Sequence, residues 1–125
     1  MSWTKVFAND EVGKVVFGDI NTLINAIRQG QEVRMLLKFP DSPRQEYFTP
    51  AENLWIRGNV VYAQNVTHVS VKDEPNGDIV FQDDPYYWMI IVNTKGEIDM
   101  TRWLVGEHTS KGHTQGKVAV TWFVN

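Results

Sequence analysis

From residue 52 to residue 124 the chain is a succession of alternating apolar runs cut by short turn signals, and this spacing restricts it to antiparallel strands more tightly than any other feature. The runs "ENLWIR" and "VVYAQNVTHVSV" flank Gly58-Asn59, a dipeptide suited to a primed two-residue hairpin turn. "YYWMIIVN" and "EIDMTRWLV" flank Thr94-Lys95-Gly96, the length of a hairpin whose glycine takes the left-handed position. "KDEPNGD" supplies a further reversal through Pro75-Asn76-Gly77, and "KVAVTWFV" closes the chain. Upstream, "EVRMLLKF" places Val33, Met35, Leu37 and Phe39 on one face of a strand before the prolines of "PDSPR" end it.

Helical periodicity occurs once. In "GDINTLINAIRQG" the residues Ile20, Leu23, Ile24 and Ile27 fall at the i, i+3, i+4, i+7 spacing of one apolar face. Asp19 is placed to cap the N-terminus and Gly30 to end the helix, which predicts a helix over 19–29.

The expected fold is therefore α+β to mainly β: an antiparallel meander of about six strands from residue 52 onward, preceded by one or two N-terminal strands, the helix and another strand. Residues 86–94 are apolar on both faces, with Tyr86, Trp88, Ile90 and Val92 alternating against Tyr87, Met89 and Ile91. The last run reads the same way, which suits strands covered on both sides and points to a barrel or a strongly curved sheet. A chain of 125 residues is of ordinary single-domain size, so one domain over 1–125 is expected.

Charge and apolar content remove several functional classes from consideration. A net charge of −3 without a stripe of Lys and Arg speaks against a nucleic-acid partner. The absence of a long apolar run speaks against a membrane partner, and the sequence reads as that of a soluble protein, cytoplasmic or secreted after processing. With no cysteine there is neither a disulfide nor a thiolate nucleophile. No catalytic or phosphate-binding signature is present, no catalytic residue is assigned, and no cofactor is expected.

Three constellations stand out. "RWLVGEHTSKGHTQG" places His108 and His113 in a glycine-punctuated stretch that reads as an unusually long hairpin loop; Glu107, His108 and His113 would be a zinc set only if they converged, and no metal is expected. "QDDPYYWM" sets Asp84 before Tyr86, Tyr87 and Trp88, a turn leading into a buried strand or an aromatic rim beside an acceptor carboxylate. Arg102 alternates with Met100 and Leu104, and pairing across the Thr94-Lys95-Gly96 turn sets Trp88 near Arg102, with Trp103 on the opposite face. Arg34 stands similarly among apolar neighbours, either as a buried cation needing a partner or with its stem laid over the outside of the sheet.

These features lead to the expectation of a non-catalytic module that binds a small molecule or glycan at an aromatic-lined cavity through Asp84, Tyr86, Tyr87, Trp88, Arg102, Trp103, His108 and His113. The alternatives are a small enzyme using His68, His108 or His113 as acid or base, and a homo-oligomeric interaction protein.

Overall fold

In the computed structural model of the chain, residues 3–38, 45–73, 79–105 and 108–125 are described. The prolines of "PDSPR", Phe39 and the turn at Pro75-Asn76-Gly77 lie outside them. The elements are β1 (Thr4–Asn9), β2 (Val15–Gly18), α1 (Ile20–Arg28), β3 (Val33–Lys38), β4 (Gln45–Arg57), β5 (Val60–Asp73), β6 (Ile79–Asn93), β7 (Glu97–Val105), β8 (His108–Lys117) and β9 (Ala119–Val124). The protein is mainly antiparallel sheet with one helix, as the sequence predicts.

Helix α1 forms where its periodicity places it. The Asp19 carboxylate accepts a hydrogen bond from the Asn21 backbone N–H at 2.8 Å. At the other end, Gly30 N–H donates to Ile27 C=O and Gln31 N–H to Ala26 C=O, the pair of bonds that closes a helix on a left-handed residue. Leu23, Ile24 and Ala26 are buried against the core, with Ile20 and Ile27 packed at its margin.

The sheet order is β2-β1-β9-β3-β4-β5-β6-β7-β8. Strands β4 to β8 follow one another as the expected meander does, and β3 adds to it at the β4 side. The hydrogen-bonded ladder does not close on itself, so the barrel reading gives way to an open sheet with β2 and β8 as edges. The last strand also departs from expectation: β9 lies between β1 and β3, where Trp122 is the partner of Phe7 and Met35, and it is not a neighbour of β7. Only Val118 separates β8 from β9 along the chain, yet six strand spacings separate them across the sheet. At ~4.8 Å per spacing a flat sheet would hold them nearly 30 Å apart, whereas two peptide units reach about 7 Å. Strong curvature is the consequence.

The bend has a visible source. Each ladder from β4 to β8 carries a register shift at the same level: Ala51 and Glu52 stand against Asn65, Asn65 against Met89 and Ile90, this pair against Thr101, and Thr101 against Gly112 and His113. Bulges increase local twist and bend the strand that carries them, so bulges aligned across four ladders form a crease. Asn65 sits at φ +52°, a region that asparagine tolerates better than most residues. Its kink breaks the two-residue alternation, so Ala63 and Val66, three apart, both reach the core and are fully buried.

The core occupies the concave face. Met35, Leu37, Phe48, Val61, Val92, Val120 and Trp122 are all buried there with the helix residues. The convex face is only partly covered. Ile91 is 41% exposed, so the second face of residues 86–94 is open at its described end. Phe123 is nevertheless buried opposite Trp122, because Tyr47 packs beside it at 6.2 Å between ring centroids.

Candidate functional site

Most side chains singled out from the sequence lie on β6, β7 and β8, where the backbone and its register are described. The stretch read as a long loop is strand: β8 begins at His108, three residues after the last residue of β7, and runs to Lys117. It is paired with β7 from Lys117 to His108, which the glycines concealed. His108 and His113 are then about 16 Å apart along an extended chain, too far to share one metal ion. Among the described residues, no group of three potential metal ligands converges.

Likewise, Asp83 to Pro85 do not end β6. Asp83 pairs with Val69, and Asp84, Pro85 and Tyr86 are carried inside the strand as a bulge opposite His68, since Thr67 pairs with Tyr87. Proline cannot donate to the ladder, and a bulge is where a strand admits one.

Register divides the aromatic set between two faces. Val66, fully buried, is the partner of Trp88; Trp88 is the partner of Trp103, and Trp103 of Ser110. Directly opposed residues share a face, so these positions lie on the core face of the sheet. Tyr86, Val105 and His108 form a second row on that face. Tyr87 is aligned with Leu104, and Met89 with Arg102 and Lys111, on the other face. The expected Trp88–Arg102 pairing is thereby overturned. A regular hairpin would have produced it, but the extra residue Thr101 shifts the register by one, bringing Trp103 to Trp88 and moving Arg102 away.

Other polar features are described to the side chain. Arg34 is on the convex face: its Nη1 donates to Thr49 Oγ1 at 2.6 Å and its guanidinium lies 4.8 Å over the Trp3 ring. This is the outward arrangement with its stem over the sheet. A stacked aromatic pair, Trp55 and Tyr62, lies across the Gly58-Asn59 turn with ring centroids 5.3 Å apart and planes within 2°. Both rings are half-buried. Sequence reasoning passed over this pair, although the turn it identified makes Trp55 and Tyr62 opposite by register.

At the junction of β1, the β6–β7 turn and Val118, three polar residues are buried: Asn9, Asn93 and Thr94. Asn9 Nδ2 donates to Val118 C=O at 3.0 Å, and Val118 N–H to Gly96 C=O at 2.8 Å. Asn93 Oδ1 accepts from the N–H groups of Lys95 and Glu97, while Thr94 Oγ1 accepts from Val61 N–H. These contacts are directed at backbone, so the junction is a structural clamp; Asn93 Nδ2 also donates to Glu97 Oε1 at 3.0 Å, and Asn9 Oδ1 is buried without a hydrogen-bond partner among the described residues.

No family model, curated protein or solved structure matches the chain.

Proposed function

We propose that the protein is a non-catalytic binding module whose ligand, a small molecule or glycan presenting an apolar face, lies against the concave surface beyond the crease. The observation that carries this reading is the register row in which Val66, Trp88 and Trp103 are successive partners. Two tryptophans directly opposed across an antiparallel ladder have Cβ atoms about 5 Å apart, and together they make a wide apolar platform. Ser110 ends the row with a hydroxyl, and Tyr86 and His108 belong to the next row on the same face, so polar groups that can orient a ligand border the platform.

Tryptophan fluorescence gives a direct test. Titration with a library of metabolites and oligosaccharides is expected to shift emission for some member, and Trp88→Ala and Trp103→Ala should each weaken that ligand at least tenfold. Arg102→Ala, on the other face, should leave its affinity within twofold. Equal loss in all three variants, or undiminished binding in both tryptophan variants, would place the site elsewhere.

A further inference from the structure

Natural sheets protect their edges with charge, proline or short polar strands. The two edges here differ in this respect. β8, "HTSKGHTQGK", is polar throughout. β2, "VVFG", is exposed along its whole length, with Val15 51%, Val16 59% and Phe17 43% exposed, and Val12 in the preceding turn 71% exposed. One side of β2 pairs with β1 through a bulge whose extra residue is Val16, and among the described residues the other side has no neighbour in the sheet.

From this edge we infer a homodimer in which β2 pairs antiparallel with β2 of a second copy, extending the nine-stranded sheet across a two-fold axis near Val16. Several features select a second copy over another strand. The turn at Asp10 to Lys14 and the helix start at Ile20 confine the edge to about five residues, and β2 matches its own length.

A two-fold perpendicular to the sheet near Val16 brings Val15, Val16 and Phe17 of the two copies together, so the apolar residues meet one another. The same arrangement brings Lys14 beside the partner strand's glycine end, leaving its ammonium room to reach the carboxylate that caps the partner's helix. That carboxylate caps its helix through Oδ1 alone, so the second oxygen accepts the new contact. Opposite charges at the two ends of one short strand become complementary when the strand meets a copy of itself in antiparallel orientation. Phe17 is held in place for this role by Lys5, whose Nζ lies 4.2 Å over its ring.

The chain has no cysteine, which permits a specific test. Opposed residues of an antiparallel pair have Cα atoms about 4.5–5.5 Å apart, within disulfide reach. Val16→Cys is expected to give covalent dimer under mild oxidation at low micromolar protein, while Val12→Cys, more exposed but outside the paired strand, should cross-link at least tenfold more slowly. Sedimentation of the unmodified chain should show a monomer–dimer equilibrium, with Val16→Lys shifting it by at least tenfold toward monomer and Lys14→Glu by less.

Unaltered circular dichroism in Val16→Lys ensures that the edge, and not the fold, is being read. A chain that stays monomeric at all concentrations, cross-links equally well from position 12, or dimerises undiminished as Val16→Lys overturns the inference. Growth beyond dimers, the signature of β2 meeting another surface head to tail, overturns it as well.

Discussion

The crease divides the long hairpins into two parts built on opposite principles. On the side of the 94–96 turn, buried side chains hold backbone: Asn93 holds the turn, Thr94 bonds Val61 and Asn9 Nδ2 bonds Val118, while Asn9 Oδ1 is buried without a hydrogen-bond partner among the described residues. Beyond the crease, the register of the same strands sets Trp88, Trp103, Tyr86 and His108 at positions on the core face. One part spends its polar groups on holding backbone, and the other sets aromatic and titratable residues along a concave surface. The lesson is that one strand can have two surroundings: a bulge changes which of its residues share the core face before it and after it.

Substitutions can break or sharpen this contrast. The largest effect is expected at Gly96, at φ +77°, where an added Cβ would meet both Asn9 and Val118 C=O. Gly96→Ala should destabilise by on the order of 2–4 kcal/mol in a urea or thermal unfolding curve, through left-handed strain combined with the displaced clamp. Asn93→Ala leaves the Lys95 and Glu97 N–H groups without their acceptor in a partly buried setting and should lower stability by about 1–2 kcal/mol.

Across the crease the ranking inverts. Trp103→Ala should lose ligand at least tenfold while changing stability by less than about 1 kcal/mol, since residues held for binding are seldom optimised for folding. A Trp103→Ala loss as large as that of Gly96→Ala would erase the contrast and make the platform ordinary core. The smallest effect belongs to the convex face: Arg34→Ala removes a half-exposed stack on Trp3 and should reduce stability by roughly 0.5–1 kcal/mol without affecting binding.

Local chemistry explains which features could be read before the fold was known. The helix, with its Asp19 cap and Gly30 stop, depends on contacts within a few residues, as do the turns at Gly58 and Gly96, and these were legible. Gly58 has φ +63° while Asn59 does not share the positive sign, the pattern of a primed turn with glycine first. The aligned bulges were not legible, because each arises from the match between two strands and leaves no motif in either. Missing the one at Thr101 was enough to exchange Arg102 for Trp103 opposite Trp88. Tertiary placement hid β9 as well: its alternation marks it as a buried strand, but no local signal says that it belongs between β1 and β3. The glycines of β8 pointed to a loop because glycine in a strand and glycine in a turn are the same letter.

The position of β9 bears on how the chain comes into being. β1 and β3 share no ladder; each is joined to the other only through β9, and α1 rests on β1 and β9 together. On a ribosome the first strands and the helix emerge early, while the strand that unites them follows roughly eighty residues after β3, a delay on the order of 4–16 s at ordinary rates of synthesis. Throughout that interval Val33, Met35 and Leu37 have lost none of their affinity for apolar surface and lack the partner that will cover them. Synthesis is thus a period of exposure for this face, and the emergence of β9 is what ends it.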